Sequence, residues 1–251
     1  RLRQAYLAAH PGADPDGLIA FAAKQKARGP YVVDVDAQSF YRASKWVVSN
    51  ITTIDLGDDA QLKNVIGYVR SKARGGGELD GTPYRIDAIG PVGRGGTVEQ
   101  LTDELQIFGT TLDKRLDYVA GVFLSHETDD SRGQSLIFGY EPFVPTTNQI
   151  NAGKFTNKTI AGYAQGTYTL TGNLRATIGG RYTVENVRFE RAPDDTFVLN
   201  PQPIYDYHQE STFRGLSWTL GLEDQLTPEL LLYAKSRRSF RSGGFNFFGP
   251  P

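Results

Sequence analysis

Arg237, Arg238 and Arg241 stand close together just ahead of Gly243-Gly244. Guanidinium groups grouped this way can hold an anionic ligand through charge-assisted hydrogen bonds, so these three are the candidate ligand-binding residues. A solvated strand end with the same composition is an equal alternative. Arg175, Arg181 and Glu185 share one alternating set within Leu174–Glu190 and either line a solute path or form ordinary polar wall. His126-Glu127 with Asp129-Asp130 offers imidazole and carboxylate oxygens. Calcium-type spacing needs further alternating ligands and a fixed glycine, so no metal site is expected there. Gly90-Pro91-Val92-Gly93-Arg94-Gly95-Gly96 lacks the Gly-Lys-Ser/Thr and the following helix of a phosphate loop. His10 and His208 have no sequence partners and are expected at the surface. No Ser–His or paired-carboxylate arrangement is visible, so no catalytic residue and no cofactor is assigned and the chain is not expected to be an enzyme.

Composition narrows the field. With 27 basic and 28 acidic residues the net charge is −1, which supplies no field for nucleic acid. The absence of cysteine removes disulfides, thiol catalysis and cysteine-ligated metals. There is no methionine, and the chain opens at Arg1 without a signal peptide, as a fragment of something longer would. The most apolar run is Tyr118–Leu124, far short of the ~18 residues that a membrane-spanning helix needs. Membrane-spanning strands escape that test, because they are apolar on one face only.

The elements that must position these residues read as strands. Leu174, Ala176, Ile178, Gly180, Tyr182 and Val184 alternate with Arg175, Thr177, Gly179, Arg181, Thr183 and Glu185, the period of a strand with one apolar and one polar face. The strand is read on to Glu190, with the alternation loosening at Asn186–Val187, and is far longer than the usual strand of about 5–6 residues. Similar texture predicts strands at 46–56, 61–73, 101–109, 115–127, 157–170, 174–190, 212–225 and 230–241. None of these spans contains a proline, as continuous ladder pairing requires. In the last of them Tyr233, Lys235 and Arg237 are expected to point inward. Tyr118 and Tyr168 lie close to a tight turn, where an interfacial aromatic girdle sits. Tight links (57–60, 110–114, 171–173, 226–229) alternate with long ones (74–100, 128–156, 191–211). That spacing predicts antiparallel neighbours with every long loop at one end, the layout of an outer-membrane barrel. Ahead of the strands, Asp14-Pro15, an apolar stripe of Leu18, Ile19, Phe21 and Ala22, and Gly29-Pro30 predict a short helix. Arg1–Ala9 is a candidate for a second one.

Leu230–Asn246, LLLYAKSRRSFRSGGFN, resembles a strand of TonB-dependent outer-membrane receptors. The match runs through Tyr233, Ser236, Arg237, Phe240, Arg241, Ser242, Gly243, Gly244, Phe245 and Asn246, with one residue fewer between Tyr233 and Ser236 and with Arg238-Ser239 where glycine is common. Leu62–Tyr68, Asp103–Gln106 followed by Leu116–Phe123, and Tyr163–Tyr182 resemble further strands of the family in the same order. The resemblance implies an all-β fold: a transmembrane antiparallel up-and-down β-barrel, of which about eight strands are present out of 22 around a plugged lumen. It divides the chain into an extracellular loop insertion with short helices (1–45), a partial barrel (46–246) and the start of a further loop (247–251), with the plug domain outside the chain. It implies an active-transport receptor in the outer membrane of a Gram-negative bacterium. Such a receptor imports a scarce, bulky solute such as a ferric siderophore, with energy transduced through the TonB complex of the inner membrane. Partners would be TonB, through the plug, the small-molecule ferric chelate, and outer-membrane lipid and lipopolysaccharide. The alternatives are a soluble β-rich surface-binding module and an outer-membrane barrel enzyme.

Overall fold

A computed structural model describes residues 17–35, 37–83, 88–137, 147–192 and 208–246. Among the described residues one α-helix, α1 (Gly17–Arg28), precedes eight strands: β1 (Phe40–Asp55), β2 (Ala60–Glu78), β3 (Ala88–Thr111), β4 (Leu116–Ile137), β5 (Thr147–Thr169), β6 (Leu174–Arg191), β7 (His208–Thr227) and β8 (Leu230–Arg238). The helix ends at Gly29, whose φ of 87° is the left-handed conformation of a helix stop. Lys26 and Arg28 in its last turn complement the helix dipole. Asp14-Pro15 and the candidate helix over 1–9 lie outside the described residues.

The strands form one antiparallel sheet in chain order, β1 to β8, and β1 does not pair with β8. This is an unclosed section of an up-and-down barrel wall. Tight turns at 56–59, 112–115, 170–173 and 228–229 fall at one end, where the sequence places them. Thr110 N donates to Asp59 O at 2.8 Å and Gln225 N to Asn173 O at 3.0 Å, which ties neighbouring hairpins together at that end.

At the other end the strands run further than their sequence suggests. Residues 74–78, 88–100, 128–137, 147–156 and 208–211, expected in loops, belong to strands and are paired except across the bulge at 90–93. Their Gly-, Asp- and Arg-rich composition resembles loop, but each has a neighbour supplying ladder hydrogen bonds, which outweighs low strand propensity. Pro91 is therefore inside β3, contrary to expectation. It sits between Ile89 and Arg94, where the pairing to both β2 and β4 lapses. Proline has no N–H to donate, and this bulge asks for none. β8 stops at Arg238, three residues earlier than predicted. The chain beyond it crosses the inner face of β7: Phe240 N donates to Ser217 Oγ at 3.0 Å. The Phe240 ring occupies the space that any side chain at Gly215 would need.

Register assigns the faces. Outward go Tyr118, Ala120, Val122 and Leu124 of β4, beside Ile160 and Ala164 of β5, Ile178, Tyr182 and Val184 of β6 and Leu216, Leu220 and Leu222 of β7. Ile178 is 68% exposed. Such a continuous exposed apolar band cannot face water on a stable monomer. It suits hydrocarbon. Asp103 interrupts the band among exposed Leu101, Leu105 and Leu124, and Asn64 Nδ2 donates to its Oδ1 at 2.6 Å.

Above the band the polarity of the faces exchanges. The outward residues become His126, Lys158, Asn186 and Thr212, which share a row, and then Thr128, Thr156, Arg188 and Glu210. The inward residues become Phe155, Val187 and Phe189. Phe189 is fully buried and stacks on Phe155 with centroids 4.5 Å apart. The loosening of alternation at Asn186–Val187 is this exchange: a strand leaving an apolar surrounding for water turns its apolar residues inward.

Candidate functional site

The inner face is the candidate site, and its polar residues fall into tiers. Nearest the tight turns, Arg175 of β6 reaches Asp117 of β4 at 2.8 Å and Glu223 of β7 at 3.3 Å. Thr167 and Thr177 share a hydrogen bond of 2.9 Å one step higher. Asp55, Asp59, Lys63, Gln106 and Asp117 line a wide cavity of about 1090 Å³ that opens at this end.

In the middle tier Tyr163 of β5 lies across β4 and donates its hydroxyl to Glu104 Oε1 of β3 at 2.7 Å. The crossing is possible because β4 carries Gly121 there: a Cβ at that position would stand 2.7 Å from the Tyr163 hydroxyl oxygen. Arg181 of β6 packs its guanidinium over Phe123 at 5.1 Å and Tyr163 at 5.8 Å, within cation–π range. Its Nε donates to Thr183 Oγ1 at 3.2 Å. Phe123, which disturbs the alternation of β4 in the sequence, is thus an inward residue with a cationic cover.

Higher still, Glu127 accepts from Gln100 Nε2 at 2.9 Å and from Asn157 Nδ2 at 3.4 Å. Asp129 accepts from Ser131 Oγ at 2.6 Å. Strand alternation places Glu127 and Asp129 inward and His126 and Asp130 outward, so the quartet does not converge. Among the described residues no cluster of three metal-ligating side chains forms. Gly90–Gly96 is part of β3 rather than a phosphate loop. His208 opens β7 opposite Glu190, and His10 lies outside the described residues.

Of the three candidate arginines, Arg237 and Arg238 line one cavity and Arg241 does not. Arg237 pairs with Thr219 and so shares the inner face, as do Lys235 beside Gly221 and Tyr233 beside Glu223. Arg238 pairs with Trp218 on the outer face. Arg241 is exposed on the segment after β8. A cavity of about 350 Å³ brings Arg237 and Lys235 to Arg181 across β7, with Gln165, Gly179 and Thr219 between them. This grouping of residues far apart in sequence depends on register, which no local pattern reveals. Arg181 itself was visible in the alternating set.

A curved antiparallel wall with an apolar outer band and a wet inner face is a section of a transmembrane β-barrel. The family model described as TonB dependent receptor-like, beta-barrel matches residues 4–251, and the chain belongs to that family. No curated protein matches the sequence. Similar solved structures include the siderophore receptor PiuA from Acinetobacter baumannii, at TM-score 0.62 and 14% identity over 79% of this chain and 32% of that one. They also include the ferric yersiniabactin uptake receptor FyuA from Yersinia pestis, at TM-score 0.65 and 15% identity over 84% and 30%. The ferric-catecholate import receptor Fiu from K12 E. coli in its closed form matches at TM-score 0.56 and 12% identity over 79% and 33%. At these identities the likeness concerns fold alone. The chain spans about a third of the length of these structures.

Proposed function

We propose that this chain is part of the wall of an outer-membrane receptor that captures a scarce, bulky solute, a ferric siderophore or similar chelate, and imports it with energy supplied through TonB. The observation that carries the reading is the exchange of face polarity. An apolar outer band rises from the tight turns to the row of His126, Lys158 and Asn186, and strands continue beyond it with polar outer residues, while Phe155, Val187 and Phe189 of β5 and β6 turn inward. A wall needs the band to sit in hydrocarbon; a receptor needs the extensions to carry ligand-catching connections above it. The uptake of iron chelates named for the structural relatives supports the substrate class.

In this arrangement the tight turns face the periplasm and the long connections face outside. The segment expected as a loop insertion over 1–45, whose last residues from Phe40 are part of β1, belongs to the same outer side, and outer-leaflet lipid and lipopolysaccharide surround the band. A plug encoded elsewhere in the same polypeptide fills the lumen and carries the contact to TonB. The test is uptake of radiolabelled ferric chelates by cells expressing the full-length protein. Accumulation that disappears on deleting TonB or collapsing the proton gradient is expected. A full-length protein that stays monomeric and soluble without detergent, or that lacks a plug-sized domain, overturns the reading.

A further inference from the structure

We propose that the outer face of β1 to β3 is a contact surface for a second copy of this protein, held by a polar island inside the lipid-facing band. Asp103 pairs with Leu124 in the sheet and so faces outward. Ile66 and Asn50 continue its row across β2 and β1, and Asn64 and Thr52 stand in the next row beside Leu105. The island is therefore Asn50, Thr52, Asn64 and Asp103. Apolar and aromatic rows enclose it along the strands, Val48, Tyr68 and Leu101 towards the outer end and Ile54, Leu62 and Ile107 towards the tight turns. The island's two rows run on through β4, β5 and β6 as Leu124, Ile160 and Val184 and as Val122, Gly162 and Tyr182, with no amide or carboxyl group. One part of the wall thus presents hydrogen-bonding groups within a band that elsewhere presents hydrocarbon.

Acyl chains offer such groups no hydrogen bond, and polar groups left unmatched in hydrocarbon are costly. The island matches its own only in part. Asn64 Nδ2 donates to Asp103 Oδ1 at 2.6 Å and to Glu104 O at 3.3 Å. Asp103 Oδ2 and Asn64 Oδ1 accept no bond from a described residue. Both residues sit on strands with a sheet neighbour on either side, and their side chains point away from the lumen. A plug or a further strand would not reach over these atoms, so what meets them comes from within the bilayer. Lateral hydrogen bonds of this kind join membrane-spanning elements. A second copy fits because the island carries its own complement. On β1 Asn50 Oδ1 accepts the Thr52 hydroxyl at 3.0 Å, which leaves the amide Nδ2 as the donor of Asn50. Two copies inserted the same way are related by a twofold axis along the membrane normal, and such an interface uses one patch twice. With the axis over β2, β1 of one copy faces β3 of the other. The Asn50 amide then lies on the side of the second copy's carboxyl group at position 103, and Ile66, on the middle strand, lies against itself.

The inference rests on the wall lying in lipid and not on transport. Full-length protein, otherwise free of cysteine and carrying Ile66→Cys, is reconstituted in phosphatidylcholine vesicles at a series of protein-to-lipid ratios and oxidised with copper phenanthroline. A disulfide-linked dimer is expected at much lower protein density than with Ile178→Cys, which sits on β6 away from the island. Asp103→Leu, added to Ile66→Cys, should raise the density for half-maximal cross-linking roughly tenfold or more, as the loss of two symmetric hydrogen-bonded contacts implies. Asp103→Asn should shift it little, because the amide still accepts and donates. Leucine suits the lipid-facing band and Asn64 keeps its bond to Glu104 O, so Asp103→Leu leaves the barrel folded. Equal cross-linking at 66 and 178, as random collision gives, overturns the contact. So does cross-linking at 66 that ignores Asp103→Leu. Ferric-chelate uptake that fails while position 66 cross-links in the expected pattern overturns only the transport reading.

Discussion

At the scale of single residues, the inner wall is organised by side chains that reach across an intervening strand. Tyr163 touches Glu104 only because Gly121 leaves the space. Tyr163→Phe leaves the Glu104 carboxylate without this donor in a half-buried setting and should cost about 1–2 kcal/mol, the usual cost of an unmade hydrogen bond. Gly121→Val should cost more, because it displaces the tyrosine ring as well as the bond. Urea unfolding in detergent micelles ranks the two. Arg175 gives the contrasting case. Its contacts with Asp117 and Glu223 have good distances, but all three side chains are 39–53% exposed, so Arg175→Ala should cost about 1 kcal/mol or less. The chemistry at this scale was only partly legible in the sequence. Arg181 stood out in its alternating set, whereas its partners Phe123 and Tyr163 sit on strands far from it in the chain. Arg237, Arg238 and Arg241 are neighbours in sequence; alternation gives the first two opposite faces of β8, although both line one cavity, and the end of β8 sets Arg241 apart.

At the scale of elements, one strand records two surroundings. In β6 the residues up to Val184 are apolar outward and polar inward, and from Asn186 the order exchanges. Ile178→Arg should impair insertion into vesicles by about 2–4 kcal/mol if residue 178 lies near the bilayer midplane. Arg188→Ile, on the same face above the band, should leave insertion unchanged. Phe189→Ala removes a fully buried ring and should cost about 3–5 kcal/mol of stability without altering membrane insertion. Strand existence, facing and tight turns were legible because alternation is a local signal. The inward facing of Tyr233, Lys235 and Arg237 rests instead on the cost of turning charge toward lipid, because both faces of that strand are mixed. Strand ends were not legible. Gly75-Gly76-Gly77 and the stretch from Ala88 to Gly96 have turn composition, and only the adjoining strands convert them to ladder.

At the scale of the molecule, eight strands in chain order with two unpaired edges form a surface that is apolar outside, wet inside and extended beyond the apolar band on one side only. Hydrophobic burial between layers cannot hold such a sheet, because among the described residues the buried apolar side chains are Ala152, Ala161, Val187 and Phe189 of the strands and Phe21 of α1. Ladder hydrogen bonds, cross-strand polar contacts and the bilayer itself supply the stability. The most direct test places spin labels on single cysteines introduced through residues 174–191, a stretch that contains none of its own, in the full-length receptor in lipid. Oxygen accessibility should peak at 176, 178, 180, 182 and 184, and from 186 onward the outward positions should respond instead to a water-soluble nickel chelate. Uniform response to the nickel chelate at 176–184, or oxygen peaks that continue to 190, would contradict a membrane wall that ends at Val184.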